Sequence, residues 1–416
     1  MKKYYLIVGM SVLLMSKSSS AQWIKKADMN QTASGRGAAQ SFALNNAVYV
    51  QGGYVGFTAG YTADMLMYDP VANSWTSKAS PTEANRSAGV GFSIGAKGYV
   101  GLGAKNYLSF SPAPTLLTDM NEYDASTNSW TLKASLPDSG RTGSACFVVN
   151  NKAYVVGGKK GYSGTTTRDV WEFNPATNSW TKKGDLPVGL HHAMGFASPT
   201  HGYIVGGINE NNVVTSTTYE YNPSSDTWTQ KGNFVSPLVQ GGIALHAGAY
   251  ALCGLGSDKD LGGSGALFNT GFSKYDYANG IWSPTTYNYT GGGRLWPVGA
   301  LLGNKLYVGG GYKFQSGEFA YRDWYELSPS TFTALNDVPS EHYRVWPNPA
   351  SQELFLEATM PWNKACLYDI AGRMVLQQGA EKGNKLWIGH LPAGMYILEI
   401  QGSQGNSRRR VEIQSK

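Results

Sequence analysis

Short apolar runs separated by turn residues follow one another along most of this 416-residue chain. Between residues 140 and 187, an apolar run at 142–150 precedes a second run that ends in Gly157-Gly158, and two further runs meet at Asn174-Pro175. Asn, Pro and Gly supply the backbone dihedrals that tight turns need. The stretch therefore predicts four short β-strands joined by turns.

The same unit recurs about every 50 residues, and the period is marked by glycines and aromatic residues. The paired-glycine element lies at Gly53, Gly103, Gly158, Gly207, Gly256 and Gly310. A tryptophan follows a turn at Trp75, Trp130, Trp180, Trp228 and Trp282, with Phe332 in the last place. The aromatic residues before these turns are Tyr68, Tyr123, Phe173, Tyr221, Tyr275 and, more loosely, Tyr325. Four strands per unit and a period near 50 indicate a β-propeller.

The unit resembles the Kelch repeat, because Gly-Gly, Tyr-Asp/Asn-Pro, Asn-Ser-Trp-Thr and Leu-Pro stand in register several times over. The resemblance weakens in the last two units, where Gly256 lacks an adjacent glycine and Phe332 replaces the tryptophan. It implies an all-β fold, a six-bladed Kelch-type β-propeller over residues 22–340. In such a fold the glycines let neighbouring backbones approach, and the aromatic residues fill the space between blades.

Residues 1–21 have the pattern of a secretory signal peptide: two early lysines, an apolar run and a small-residue cleavage site that ends at Ala21. The apolar run is too short to span a bilayer, so we expect no transmembrane segment in the mature chain. Trp23 lies one repeat before Trp75, which predicts that residues 22–29 supply the outer strand of the last blade. The segment around Phe332 competes for that place.

After residue 343 the repeat ends, and shorter strand-like runs predict a small Ig-like β-sandwich over residues 343–416. The motifs at 346–350, 368–373 and 391–397, with the basic carboxyl end, resemble the C-terminal sorting domain of the type IX secretion system of Bacteroidetes-type Gram-negative bacteria. The residues that carry this resemblance as a sorting motif are Pro347, Asn348, Pro349, Gly372, Arg373, Gly394 and Tyr396.

The resemblance implies that the signal peptide takes the chain to the periplasm and that outer-membrane secretion machinery then recognises residues 343–416. The protein is accordingly expected to be secreted or displayed on the cell surface. The alternative is an ordinary carbohydrate-binding or adhesion sandwich, in which Trp346 and Trp387 would be the stacking platform.

Charge and cysteine content exclude several classes of function. The formal net charge is +6, but basic and acidic residues are equal in number between positions 22 and 342. The excess of basic residues therefore comes from the two ends of the chain, and it does not favour nucleic-acid binding. The three cysteines, Cys146, Cys253 and Cys366, have no metal-ligand spacing and are too few for a disulfide-stapled protein.

An arginine recurs 17 residues before the glycine that ends several units, at Arg36, Arg86, Arg141 and Arg294. In up-and-down blades this position and the loop after the glycines share one mouth of the channel. The other two units have His191, His192 and Gln240 nearby. Guanidinium groups bind carboxylates and phosphates bidentately, so Arg36, Arg86, Arg141, His191 and Arg294 are the candidate ligand site. The alternative is that these arginines brace neighbouring loops.

No nucleophile elbow, His-Glu-x-x-His motif or phosphate-cradling loop is present in the sequence. Neighbouring residues of a strand point to opposite faces, so His191 and His192 are not expected to hold one metal ion, and no cofactor is expected. Two hypotheses remain: a protein- or glycan-binding module, and a secreted enzyme on a sugar acid that resembles sialic-acid mutarotases. The enzyme would use the four arginines to hold the carboxylate.

Overall fold

A computed structural model gives the architecture of the chain. The structure describes residues 23–29, 35–56, 60–83, 85–107, 113–160, 164–235, 239–260, 263, 265–314, 318–328, 343–358, 361–369, 374–402 and 405–414. The predicted signal peptide, Phe332, Gly372 and Arg373 lie outside these residues. In the part of the chain that the structure describes, no helix is long and apolar enough to cross a membrane.

Residues 23–328 form, within the described ranges, six four-stranded antiparallel sheets, numbered 1 to 6 along the chain. The strands of sheets 1 to 3 are Gln40–Leu44, Ala47–Gln51, Met65–Asp69 and Ser74–Lys78; Val90–Ile94, Lys97–Gly101, Met120–Asp124 and Ser129–Lys133; and Ala145–Val149, Lys152–Val156, Val170–Asn174 and Ser179–Lys183. Those of sheets 4 to 6 are Met194–Ala197, Gly202–Val205, Thr218–Asn222 and Thr227–Lys231; Ile243–Ala247, Tyr250–Gly254, Gly271–Asp276 and Ile281–Asn288; and Val298–Leu302, Lys305–Gly309, Trp324–Leu327 and Trp23–Lys25. The predicted order of four strands per repeat is thus observed.

The turns within the sheets follow from the asparagines of the sequence. Asn150 and Asn151 join the first two strands of sheet 3 with φ of 53° and 57°. Two successive residues with positive φ define the type I′ turn, whose twist matches that of paired strands, and Asn tolerates this conformation better than other side chains.

The first and last parts of this region meet in sheet 6. Trp23 pairs with Leu327, so the amino-terminal strand is the outer strand of the last sheet, as the sequence predicted. Trp23 is buried against Phe272 and Tyr289 and fills the tryptophan position that the sequence had also offered to Phe332. In the other sheets the aromatic residue before the turn pairs with the tryptophan. In sheet 6 the residue that pairs with Trp23 is Leu327, so the assignment of this position to Tyr325 was wrong.

Paired glycines bring neighbouring sheets into contact. The N–H of Gly158 donates to the carbonyl of Leu190 in the next sheet over 2.8 Å. A Cβ on Gly157 would collide with that same carbonyl. In sheet 6 the residue equivalent to Gly158 is Gly311, which donates to Arg36, and not Gly310. The glycines therefore permit a backbone approach that any side chain would prevent.

In sheets 1 to 4 the tryptophan of the fourth strand binds the backbone that follows the preceding sheet in the ring. Trp180 Nε1 donates to the carbonyl of Ala134 over 2.8 Å, and the N–H of Ala134 donates to Asn178 Oδ1 over 2.8 Å. The same reciprocal pair recurs around Ala27, Ala79 and Gly184. The indole N–H thus has the partner that a half-buried tryptophan needs.

Residues 343–414 form two further sheets around one core. The first has the strands Tyr343–Trp346, Glu353–Ala358 and Lys385–Trp387; the second has Met374–Gly379, Trp362–Asp369, Gly394–Gly402 and Gly405–Ile413; a short 3₁₀ turn, Ala380–Lys382, joins them. Leu354, Leu367 and Leu398 are among the fully buried residues that the two sheets share. Cys146, Cys253 and Cys366 are free thiols.

Candidate functional site

Six residues with left-handed backbone surround the axis of the sheets, one just before each first strand. We call them the axial ring: Ala38, Ala88, Gly143, His192, Gly241 and Trp296, with φ between 49° and 63°. Each lies two residues after the arginine position of its repeat. This ring was not predicted, because Ala, His and Trp rarely adopt such dihedrals and carry no signal for them.

The axial ring is a closed circle of backbone hydrogen bonds. Each N–H donates to the carbonyl of the ring residue in the preceding sheet. The donor–acceptor pairs are Ala88 to Ala38 at 2.8 Å, Gly143 to Ala88 at 2.9 Å, His192 to Gly143 at 2.7 Å, Gly241 to His192 at 2.8 Å, Trp296 to Gly241 at 2.7 Å and Ala38 to Trp296 at 3.3 Å. The circle fixes where each ring side chain lies around the axis.

All four predicted arginines are buried braces between strands. Their residues are at most 2% exposed, and each guanidinium group holds one aspartate through two hydrogen bonds. The pairs are Arg36 with Asp64, Arg86 with Asp119, Arg141 with Asp169 and Arg294 with Asp323. Each also donates to a backbone carbonyl, that of Gly52, Leu102, Gly157 or Gly310. The donors expected for a ligand are therefore occupied by the protein.

Two of these aspartates, Asp64 and Asp169, are held ionised by their arginine partners. Burial raises the pKa of Asp169, but hydrogen bonds from Arg141 and Thr167 and the charge of Arg141 outweigh it and lower the pKa well below the usual value. The pKa of Asp64 is lowered in the same way, since Arg36 and Thr62 outweigh its burial. These contacts match the bracing alternative for the arginines, and their role in ligand binding remains a prediction.

Sheets 4 and 5 lack the brace and carry polar side chains at the axis instead. Leu190 and Val239 occupy the arginine position and are buried. His191 and Gln240 follow them, and His192 belongs to the axial ring. His191, alone among the predicted ligand residues, is therefore not engaged in an arginine–aspartate pair.

His192, Trp296 and Tyr107 form a cap over the axis. The Tyr107 hydroxyl and His192 Nε2 are 3.0 Å apart, and the ring centroids of His192 and Trp296 are 5.3 Å apart. Gly143 makes room for this cap, because a Cβ there would lie 2.7 Å from His192 Nε2 and closer still to Cδ2. Gly241 does the same for Trp296, with 2.8 Å to the indole Nε1.

A cavity of about 150 Å³ lies along the axis beside the cap. The axial-ring residues and those that follow them line it, and most are glycine or alanine. Pockets for small organic ligands have volumes of roughly 300–1,000 Å³, while a water molecule takes about 30 Å³. The cavity therefore suits a few water molecules, and a larger ligand would need the surrounding hairpins.

These hairpins join the second and third strands of each sheet. They stand on one face, which we call the hairpin face. They lie within residues 54–61, 104–116, 159–166, 208–214, 257–268 and 312–320. The base of each hairpin pairs with the residue after the arginine position, as Lys159 does with Thr142 and Ile208 with His191. The two kinds of connection thus share one face, as the sequence predicted.

Near the axis the hairpin face has an aromatic side and a polar side. On the aromatic side, ring centroids 5.2 to 6.3 Å apart link Tyr61, Tyr54, Tyr312, Trp296 and Tyr107 in that order. On the polar side lie Lys159, His191, His192, Gln240 and Asp260. Trp296 Nε1, Gln240 Oε1, His191 Nε2 and His192 Nδ1 are buried atoms without a hydrogen-bond partner among the described residues.

Both histidines are neutral at physiological pH. Burial, followed by the charges of His192 and Lys159, lowers the pKa of His191 to about 3. Burial and the charge of Lys159 likewise lower the pKa of His192 to about 3. Each imidazole therefore presents one N–H and one lone pair, and the partner of one nitrogen decides which nitrogen carries the proton.

Of the predicted sorting-motif residues in the described range, Tyr396 is buried in the core, while Pro347, Asn348, Pro349 and Gly394 are exposed. Asn348 Oδ1 accepts a hydrogen bond from the Glu412 N–H over 2.9 Å. Pro347 and Pro349 flank it in the connection between two strands. Gly394 begins a strand in which Tyr396 is buried and donates to the Pro392 carbonyl over 2.9 Å. Trp346 and Trp387 are about half exposed, at 52% and 48%.

Comparison with known proteins identifies both parts of the chain. The family model described as Kelch motif matches residues 35–82, 140–187 and 203–234, and the model described as Secretion system C-terminal sorting domain matches residues 344–414. No characterised protein sequence matches the chain significantly. A solved structure described as "Structure of YjhT" is similar at 20% identity with a TM-score of 0.60, over 71% of this chain and 95% of that one. At this identity the likeness shows the fold alone.

The chain therefore carries Kelch motifs on a propeller-like fold and ends in a secretion-system sorting domain. Its sorting domain belongs to the type IX system and points to secretion or display on the cell surface in Bacteroidetes.

Proposed function

We propose that this protein is an exported six-bladed Kelch propeller that binds a glycan at the axial end of its hairpin face. The six sheets would be the blades, spanning residues 22–340, and residues 343–416 an Ig-like sorting domain. A signal peptide at residues 1–21 would deliver the chain to the periplasm, from which the outer-membrane machinery exports it.

The observation that carries the binding proposal is the convergence of unpartnered polar atoms and aromatic rings at one mouth. Buried polar atoms are almost always hydrogen-bonded, so Trp296 Nε1 and Gln240 Oε1 call for a partner such as a ligand or water. They lie beside the aromatic run that ends in Tyr107 and Trp296. A few convergent polar groups beside aromatic surface are typical of small-molecule sites.

A glycan fits this mouth better than other ligands. Its hydroxyl groups can both donate and accept, which suits the indole N–H and the amide oxygen, and its C–H faces suit aromatic rings. Lys159 adds one cation near the axis, since its charge lowers the pKa of both histidines. A protein ligand is the other class that the fold and the hairpins admit.

The sugar-acid enzyme hypothesis has less support. It requires arginines that are free to hold a carboxylate, and Arg36, Arg86 and Arg294 each hold an aspartate. It also requires a pocket that encloses the substrate, whereas the axial cavity of about 150 Å³ is smaller than such pockets. Binding at the hairpin face needs neither condition.

A glycan array with the purified full chain tests the ligand class. We expect saturable binding to a defined set of glycans and loss of that binding in Lys159→Met, with an unchanged melting temperature. Absence of binding to every glycan, combined with specific capture of one protein from the surface of the producing cell, would overturn the glycan proposal in favour of a protein ligand.

Export is tested separately by removing residues 343–416 in a host with a type IX system. We expect the shortened protein to accumulate folded in the periplasm. Its normal delivery to the surface or the medium would contradict the proposed route, and would leave the binding proposal untouched.

A further inference from the structure

Two neighbouring buried histidines, His191 and His192, lie beside the carboxylate of Asp260. His191 is 1% exposed and His192 is 6% exposed. Nε2 of His191 and Nδ1 of His192 have no hydrogen-bond partner among the described residues. One ring nitrogen of each histidine and a carboxylate oxygen of Asp260 all lie within 4.8 Å of one another. The distance from His192 Nδ1 to Asp260 Oδ1 is 4.0 Å.

The axial ring explains how adjacent residues share a side. In a regular strand they would point to opposite faces. His192 has a φ of 53°, however, which takes it out of the strand that ends at His191, and the two ring centroids are 5.0 Å apart. The expectation that these histidines cannot hold one ion rested on strand alternation and does not apply here.

The other nitrogen of each imidazole faces an oxygen. His192 Nε2 lies 3.0 Å from the Tyr107 hydroxyl, and His191 Nδ1 lies 3.1 Å from Thr166 Oγ1. Metal-ligating histidines almost always donate their second ring N–H to an oxygen, which fixes the tautomer and the ring orientation. With Tyr107 and Thr166 as acceptors, the lone pairs of His191 Nε2 and His192 Nδ1 are the ones left for an ion, and His192 Nδ1 lies 4.0 Å from Asp260 Oδ1.

The loop that carries Asp260 is tied to the same sheet. Gln240 Nε2 donates to the Lys259 carbonyl over 2.7 Å, and the Lys259 N–H donates to Ser257 Oγ over 3.2 Å. The Leu267 N–H donates to Asp258 Oδ1 over 2.7 Å. The backbone beside Asp260 is thus fixed, while its side chain is 45% exposed and can rotate toward the histidines.

We infer that His191, His192 and Asp260 form a binding site for a divalent transition-metal ion, with zinc as the expected occupant. Two imidazole nitrogens and one carboxylate oxygen are a common zinc ligand set, which leaves a fourth position for water or a ligand. Zinc bonds of about 2.0–2.1 Å place tetrahedral ligand atoms roughly 3.3 Å apart. The three ligand atoms now lie within 4.8 Å of one another, so an ion would draw them together, and the half-exposed Asp260 side chain has the most freedom to move.

Lys159 opposes the ion and supplies a sensitive test. Lys159 pairs with Thr166, whose Oγ1 lies 3.1 Å from His191 Nδ1, so the hairpin brings this lysine next to the histidines. An ammonium group near a bound cation weakens its binding through charge repulsion. Replacing Lys159 with methionine keeps an unbranched side chain one atom shorter and removes the charge, so zinc should bind at least threefold more tightly to Lys159→Met.

The experiment is equilibrium dialysis of the untagged, chelator-treated full chain against Zn²⁺, with zinc and protein measured in the retained fraction. We expect one zinc per chain. We expect Asp260→Asn to weaken binding at least tenfold and His191→Gln/His192→Asn to abolish it. His201→Ala is the matched control, since His201 lies in a turn and contacts Thr200, and should bind as the wild type does.

Thermal unfolding with and without Zn²⁺ guards against variants that fail to fold, because an ion that binds only the folded chain raises its melting temperature. The wild type, Lys159→Met and His201→Ala should gain stability with zinc, and Asp260→Asn should gain much less. Failure of the wild type to retain zinc would overturn the inference. If Asp260→Asn and the double histidine variant retained as much zinc as the wild type, the inference would also be overturned, because the zinc would be bound adventitiously elsewhere.

Discussion

The guanidinium group of Arg141 holds Asp169 through hydrogen bonds of 2.6 and 3.0 Å, and its Nη2 also donates to Asp138. Removing one partner of a buried pair leaves an uncompensated charge, which costs about 3–5 kcal/mol. We expect Arg141→Met to lower the free energy of unfolding by about 3 kcal/mol in chemical denaturation.

Two variants serve as controls for this pair. Arg168→Met removes an arginine that is 53% exposed and lies 3.4 Å from Glu210, so it should change stability by less than about 1 kcal/mol. Arg141→Met/Asp169→Leu removes both charges and should cost less than the two single changes together. Equal and small effects of Arg141→Met and Arg168→Met would contradict the bracing role.

Acid should destabilise the propeller through the same aspartates. The pKa values of Asp64 and Asp169 in the folded chain lie below the unfolded value of about 3.9. Below that value the unfolded carboxylates take up protons before the folded ones do, so the stability present at neutral pH is lost as pH falls through the folded pKa. Unfolding free energies between pH 5 and pH 2 should drop below about pH 4, and the drop should be shallower in Arg141→Met/Asp169→Leu.

Closure by the amino-terminal strand gives a third prediction. Trp23 is 4% exposed and packs on Phe272 and Tyr289, so Trp23→Ala should cost about 3–5 kcal/mol of unfolding free energy. Ile24 lies on the same strand and is 54% exposed, so Ile24→Ala should stay within about 0.5 kcal/mol of the wild type. If both variants melt with the wild type, this strand does not close the last sheet.

Alanine substitutions at Gly143 and Gly303 allow the effect of a steric clash to be separated from the effect of an unfavourable backbone dihedral. Both have positive φ, at 63° and 57°, so alanine costs roughly 1–2 kcal/mol at either position through the backbone. A Cβ at Gly303 meets nothing within 4 Å, whereas one at Gly143 meets the His192 ring. Gly143→Ala should therefore destabilise clearly more than Gly303→Ala and shift the NMR signals of the His192 imidazole.

The sequence was sufficient for the repeat but not for the site. Glycine pairs mark the places where neighbouring backbones approach closely, because a side chain there would prevent the approach. Tryptophans mark contacts between neighbouring sheets, because in sheets 1 to 4 the indole N–H donates a hydrogen bond to the backbone of the neighbouring repeat. The arginine positions were also found, but their partners were overlooked. Asp64, Asp119, Asp169 and Asp323 stand immediately before the third strand in the four repeats that have the arginine, whereas Thr217 takes that place in sheet 4. Aligning the repeats on their third strand would have shown the pairing.

The axial ring lay beyond sequence reasoning for a different reason. Its conformation is imposed by the closed circle of hydrogen bonds and not by side-chain type, so Ala38 and Trp296 give no local signal. His192 was consequently assigned to a regular strand. Tyr107 reaches it from a hairpin 85 residues away in sequence, a contact that only the circular arrangement of the sheets creates.

The most direct test of the proposed function is the affinity of the array-selected glycan for matched variants, measured by calorimetry on the full chain. We predict that Lys159→Met, at the hairpin face, weakens binding at least tenfold without a change in melting temperature. Arg86→Lys, in a brace, should lower the melting temperature and leave affinity intact. The opposite pattern, with affinity lost only in Arg86→Lys at unchanged stability, would contradict the account and return the ligand to the arginines.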